Sequence, residues 1–138
     1  MTPSMIPGPP MGKQRPRVTF RYGKAMAYTP TRTVQWERFA SDLIAREHVG
    51  GPIEGPLELR VIAVNARPKR LMRRTDPPGR VLRTTKPDGD NVLKCCADAL
   101  VMAGVVRDDC HIAAWSCLGY YAAKDEAPHV LIELQKIQ

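Results

Sequence analysis

Two spacings of apolar residues organise the chain. Residues 57–66, LELRVIAVNA, are dense in β-branched side chains and predict a central strand. Residues 29–48, TPTRTVQWERFASDLIAREH, repeat at helical intervals. Val34, Phe39, Leu43 and Ile44 fall near one face with Trp36 and Ala40 beside them, and Thr31 or Thr33 is a candidate cap. The Gly- and Pro-rich VGGPIEGP ends that helix. A second helix is predicted at about 91–103. Its apolar face is Val92, Leu93, Cys96, Ala99, Leu100 and Ala103, while Asp90, Lys94 and Asp98 lie opposite and Gly104 can stop it.

RVTF and KAMAY flank RYG and predict a hairpin over 17–28. The opening SMIPGPPMGKQRPR reads as an extended edge segment followed by a loop. HIAAWSCLGYYAA and HVLIELQKI predict two strands joined by KDEAP as an antiparallel pair. Alternation along the first of them favours the core for Trp115 and for one of Tyr120 and Tyr121. The order is β-β-α-β-α-β-β, an α/β (α+β) class with a mixed sheet. Residues 1–138 form one domain, with no internal repeat.

Between the strand and the second helix lies RPKRLMRRTDPPGRVLRTT, residues 67–85. Its prolines and Gly79 argue against regular structure, and so long a loop in a small domain is usually functional or mobile. Charge makes it more telling. Residues 1–66 carry 9 Lys/Arg against 5 Asp/Glu, residues 67–86 carry 8 against 1, and residues 87–138 carry 4 against 8. A basic surface favours polyanions through phosphate contacts and counterion release. A concentrated acidic site beside it suggests hard divalent cations, which carboxylates suit.

Composition adds limits. A chain of 138 residues, 43% hydrophobic, can build one core without disulfides or metals. No apolar run is long enough to span a bilayer, and the N-terminus reads as neither signal peptide nor anchor. Cys95, Cys96, Cys110 and Cys117 form no CxxC pair, which argues for free thiols in a reducing cytoplasm.

The acidic residues come as two pairs: Asp88 and Asp90 at the loop-to-helix junction, Asp108 and Asp109 before the next strand. A helix of some 13 residues separates them by roughly 20 Å along its axis, so they meet only where the chain folds back or strand ends converge. Each aspartate alone has a structural explanation. Asp90 can be a helix N-cap, Asp88 a turn residue after Pro87, and the other two loop residues. Lys94 can form a surface pair with Asp90 or Asp98.

Taken together, PDGDNVLKCCADAL…GVVRDDCHI resembles the RusA family of Holliday junction resolvases. The family pattern has an aspartate, any residue, then Asp-Asn, a hydrophobic helix with a lysine in its first turns, Asp-Ala-Leu, a glycine, then Asp-Asp and a β-branched residue. PGPPMGKQRPRVT…AYTPTRTVQWE is similar to the family's N-terminal part. The likeness covers about residues 5 to 135. It implies that Asp88, Asp90 and Asp109 bind metal, that Lys94 is the essential lysine, and that Asp108 substitutes for or supports Asp109. It further implies a homodimer with two active sites, acting on four-way junctions or other branched DNA. That activity belongs to recombination and repair in the cytoplasm of a bacterium or of a phage-infected host cell.

The chemistry agrees with those residue types. Phosphodiester hydrolysis needs an activated water, charge neutralisation at phosphorus and help for the leaving oxygen. Carboxylates holding Mg²⁺, with Mn²⁺ as a substitute, supply the first two. Lys94, four residues after Asp90, would contact the scissile phosphate or hold an aspartate in place. Arg67, Lys69, Arg70, Arg73, Arg74 and Lys86 would grip the phosphate backbone without reading sequence.

A branched-DNA-binding protein without catalysis is the main rival, and it leaves two acidic pairs where phosphate should bind. A zinc site from Cys95, Cys96, Cys110 and His111 is disfavoured because adjacent helical cysteines point about 100° apart. A structural phage protein or an inactive relative is disfavoured by the intact aspartates and Lys94. Trp36, Trp115, Tyr120 and Tyr121 could stack on unpaired bases.

Overall fold

The strand predicted over 57–66 is the centre of the molecule. In the computed structural model, which describes residues 1–13, 17–28 and 31–138, it runs Leu57–Asn65 and pairs on both sides. The elements in chain order are β1 (Ser4–Pro7), β2 (Arg17–Arg21), β3 (Lys24–Tyr28), α1 (Thr31–Glu47), β4 (Leu57–Asn65), β5 (Val81–Leu82), α2 (Gly89–Met102), β6 (Ile112–Tyr121) and β7 (His129–Lys136). Five strands form one mixed sheet in the order β1-β7-β4-β6-β5, and β2 and β3 form a separate hairpin. The fold class is α+β as expected, with β1 on the sheet edge.

One expectation about the sheet is corrected. β6 and β7 run antiparallel but do not pair, because β4 lies between them. β4 is parallel to β6 (Val61 opposite Cys117) and antiparallel to β7 (Val61 opposite Ile132). A strand buried on one face by alternate residues takes the central place most readily. Leu57, Leu59, Val61 and Ala63 all point to the helix side and are buried. α2 is the crossover between β4 and β6, the connection a parallel pair requires.

Both helices cover that same face. α1 buries Thr33, Trp36, Ala40 and Ile44, spaced at three and four residues. Phe39 falls outside this stripe and is 45% exposed, a correction to the predicted face. Thr33 lies inside the first turn with its hydroxyl buried, so it is no cap, and the position before Thr31 lies outside the described residues. α2 buries Cys95 and Ala97 as well as the predicted Val92, Cys96, Ala99 and Leu100, because it is wedged between α1 and the sheet. Burial pushes the Cys95 and Cys96 thiols up, and all four cysteines are free. Cys95 and Cys96 are core residues, Cys117 is half-buried and Cys110 is exposed.

The opposite face of the sheet is open over its middle, although Val64 at one end of it is buried. Registers align Met5, Leu131, Ile62 and Leu118 as one apolar row across four strands. Met5 and Leu118 are more than half exposed. The adjoining row holds Glu133, Arg60 and Ser116.

The 67–85 loop is more regular than expected. It contains a 3-10 turn at Lys69–Leu71 and the short strand β5 on the edge of β6. Arg67 organises it. Its guanidinium donates to the carbonyls of Leu71 (2.8 Å), Gly79 (2.7 Å), Pro77 (2.5 Å) and Ala122 (3.3 Å). Lys124 adds bonds to the Arg73 and Asp76 carbonyls, and Arg80 pairs with Glu126.

Candidate active site

α2 carries the acidic motif into the structure. Asp88 is its N-cap residue, with extended backbone, and its carboxylate makes no capping bond. The expectation that Asp90 caps the helix is therefore corrected: Asp90 lies in the first turn. Gly89 sits over the middle of β6, where a Cβ on it would meet the Cys117 Cβ at 3.5 Å. Asp88, Asp90 and Lys94 are all exposed. Among the described residues, none of the three has a side-chain hydrogen bond or ion pair. The surface pair expected for Lys94 with Asp90 or Asp98 does not form: Asp90 has no partner among the described residues, and Asp98 Oδ2 lies 2.9 Å from Lys13 Nζ instead.

Asp109 begins a 3-10 turn just before β6, and Asp108 caps it by accepting from the Cys110 N–H at 3.4 Å. The two carboxyls act on each other. Hydrogen-bonding competition with Asp108 pushes Asp109 above the usual carboxylate range, with burial and the charges of Asp108 and Asp98 adding to it and Lys94 opposing. The interaction with Asp109, helped by the Cys110 N–H, holds Asp108 low. Two carboxylates this close titrate as a pair, the second keeping its proton longer.

The two acidic pairs stand apart. Asp88 and Asp90 lie at the level of Cys117, and Asp109 precedes Ile112, five strand residues or roughly 17 Å away along β6. Among the described residues, no three His, Cys, Asp or Glu side chains are gathered within reach of one metal ion. As donors, Asp88 and Asp90 fit a hard cation: their oxygens are exposed and have no protein partner.

A groove of about 660 Å³ opens beside Asp88. It is lined by the N-terminal arm Pro9–Lys13, by Arg32 and Trp36 of α1, and by Lys86, Pro87 and Asn91. The arm is held by the Lys13 N–H, which donates to the Asn91 carbonyl at 3.0 Å. Lys13 Nζ bridges Glu37 Oε1 (2.7 Å) and Asp98 Oδ2 (2.9 Å). Burial works against its charge, but the two carboxylates outweigh it and hold the ammonium above its ordinary range. A second, smaller pocket on Asp88 is lined by Arg83, Thr84, Gly89 and Cys117, and there Arg83 donates to the carbonyls of Thr85 and Pro87.

The residues expected to bind DNA divide by what they already touch. Arg67 is an internal brace. Arg70 lies over the Tyr121 ring, 5.7 Å from its centroid, and Arg73 is 3.5 Å from Asp76. Lys69, Arg74 and Lys86 are exposed and unpaired among the described residues. Trp115 departs from its expected core position. It points to the helix side but is 41% exposed at the sheet margin, its Nε1 donating to the Ile112 carbonyl. Tyr120 and Tyr121 are half-buried beneath Arg80 and Arg70.

Sequence reasoning missed Lys13, Glu37 and Asp98 as a unit. Lys13 stands out only as a base beside a glycine in the arm, and its partners lie 24 and 85 residues away.

Comparison with known proteins follows the same lines. The chain is 24% identical over 135 residues to the uncharacterized protein YqaN of Bacillus subtilis (strain 168), covering 94% of this chain and 92% of that one. The family model described as endodeoxyribonuclease RusA matches residues 7–135, a span that takes in the arm, both helices and both acidic pairs. This chain therefore belongs to the RusA endodeoxyribonuclease family, whose members are Holliday junction resolvase nucleases.

Proposed function

We propose that the protein is a Mg²⁺-dependent endonuclease that resolves four-way DNA junctions by paired symmetric nicks. The observation that carries this reading is the exposed face of α2. Asp88, Asp90 and Lys94 stand there without partners among the described residues, and Asp88 lines a groove that also holds the cationic Arg32 and Lys86. Charged side chains left unpaired within one and a half turns are poorly explained by folding stability and well explained by a charged substrate.

Asp88 and Asp90 would hold the metal, with Asp109, which stands apart from them along β6, outside that ion's reach. Mg²⁺ keeps several waters and takes few carboxylates, which suits sparse aspartates. When bound, the ion supplies an activated water and neutralises charge at phosphorus. Lys94 would stabilise the charge that develops on the phosphate. The groove would seat the strand leading to the cut, and Lys69, Arg74 and Lys86 would hold backbone phosphates.

A junction has two strands to cut, so two sites are needed. The open middle of the other sheet face supports a homodimer. Its row of Met5, Leu131, Ile62 and Leu118 is apolar, and the neighbouring Arg60 and Glu133 offer both charge signs to a two-fold partner. The activity fits the cytoplasm of a bacterium, or of one carrying a phage.

The test is incubation with a labelled synthetic four-way junction and a matched linear duplex, with Mg²⁺ or with EDTA. Symmetric Mg²⁺-dependent nicks in the junction alone are expected. Tight junction binding without cleavage under Mg²⁺ or Mn²⁺ would make the protein a branched-DNA-binding module instead.

A further inference from the structure

The reading above gives Lys94 a task that requires its charge to be free. Its own helix works against this. Asp98 lies four residues on, the spacing at which lysine and aspartate side chains meet on a helix surface. In the structure Asp98 has another partner. Lys13 Nζ lies 2.9 Å from Asp98 Oδ2 and 2.7 Å from Glu37 Oε1. The two carboxylates differ in setting: the Glu37 side chain is 7% exposed and that of Asp98 32%. Glu37, on α1, therefore anchors Lys13, since losing the pair would leave a carboxylate buried without a counter-charge. Asp98 is the carboxylate that Lys13 holds on behalf of α2.

We propose that Lys13 is a positioning residue that engages Asp98 and thereby leaves Lys94 unpaired for the substrate phosphate. The inference rests on the nuclease reading. It adds that the N-terminal arm controls a charge on α2 from outside that helix. Removing Lys13 frees Asp98, and the nearest cation on its own helix, Lys94, turns toward it.

The experiment compares Lys13→Met, Lys13→Arg, Lys13→Met/Asp98→Asn and Lys13→Met/Glu37→Gln. Junction cleavage under Mg²⁺ is measured below the lowest Tm of the set. Lys13→Met should lower kcat about two- to tenfold. Asp98→Asn should restore kcat in that background while leaving most of the Tm loss. Glu37→Gln should do the reverse, because it removes the buried charge and leaves Asp98 free. Lys13→Arg should keep most of kcat. A kcat that follows Tm across all four variants, equal rescue by both second substitutions, or an unchanged kcat in Lys13→Met would overturn the proposal.

A readout without cleavage separates this from failure of the nuclease reading. A double-mutant cycle between Lys94→Met and Asp98→Asn, read from urea midpoints, should give no coupling with Lys13 present and a favourable coupling with Lys13→Met. Coupling already present in the wild-type background would sink the inference even in an active enzyme. A wild type that does not cut, with the coupling behaving as expected, would instead sink the nuclease reading and leave the allocation of charge standing.

Discussion

Gly12 packs against Pro87 so closely that a Cβ on Gly12 would come 2.8 Å from the proline Cβ and 3.6 Å from that of Asn91. This contact fixes the N-terminal arm on the turn that leads into Asp88. Glycine is required there for close approach, since neither neighbour is a flexible side-chain end that can move aside.

Gly12→Ala should therefore lift the arm from Pro87. Overpacking of this kind costs about 1–3 kcal/mol, which should appear as a fall in Tm of several degrees. Cleavage should fall with it, because the arm is one wall of the groove beside Asp88. Thermal unfolding and junction cleavage check both. An unchanged Tm would mean that the arm does not rest on Pro87.

Asp88 and Lys94 should separate chemistry from binding. Neither is buried, and neither has a protein partner among the described residues, so their removal should leave folding almost unaffected. Asp88→Asn should reduce cleavage by about 100-fold or more, the scale seen when one charged group at a reacting centre is lost. Junction binding should hold or tighten, since a negative charge near phosphate is gone. Lys94→Ala should likewise lower the rate more than the affinity. Cleavage and gel-shift titrations on the same junction give both numbers, and joint loss of binding and cleavage would reject this division of roles.

The features that were legible in the sequence are those set by local pattern. Leu57–Asn65 announces a central strand by its β-branched content, and α2 is readable from Val92, Cys96, Ala99 and Leu100 at helical spacing. The pattern around Asp88, Asp90, Lys94 and Asp109 is specific enough that the family is legible in it. Pairing partners were not. β6 and β7 adjoin in sequence, yet β4 inserts between them, because a parallel partner for β6 is available only through the α2 crossover. Nor did composition reveal that Arg67 and Lys13, two basic residues among many, turn inward. Their partners are carbonyls and carboxylates brought close only by tertiary structure.

Arg67 yields a stability prediction of the opposite kind to Lys94. Its guanidinium reaches four carbonyls from three parts of the chain, including Ala122 after β6. Arg67→Ala leaves those acceptors without their donor, at about 1–3 kcal/mol. The 67–85 loop should then become susceptible to proteolysis, and limited digestion should cut first within it. If junction affinity fell with no change in Tm or digestion, Arg67 would be contacting DNA instead.

The Arg80–Glu126 pair makes the loop's attachment depend on pH. Arg80 donates to both Glu126 oxygens, and this hydrogen bonding lowers the Glu126 pKa from 4.5 to about 2, with the Ala123 N–H assisting. A depressed folded-state pKa contributes stability that is fully present above pH 4.5 and is lost as pH falls toward 2. Glu126→Gln should remove that share. The variant should be less stable than the wild type at pH 7, by about 1 kcal/mol or less for a partly exposed pair, and the difference should close below pH 3. Urea unfolding across pH 2–7 measures it. A gap that persists at pH 2 would point to packing instead of charge.

Salt dependence tests whether the loop faces DNA. Arg74 is exposed and unpaired among the described residues, whereas Arg73 lies 3.5 Å from Asp76 and its backbone N–H also donates to that carboxylate. Each phosphate contact on duplex DNA contributes about 0.9 to the slope of log K against log salt. Arg74→Gln should therefore flatten the slope for junction binding by about 0.9. Arg73→Gln should do less, because part of its charge is already answered by Asp76. The double variant should come close to the sum. Titrations at several salt concentrations in EDTA give the slopes without cleavage. Equal slopes in wild type and both variants would place the DNA on another surface, and the groove walled by Arg32 and Lys86 would then be the next to neutralise.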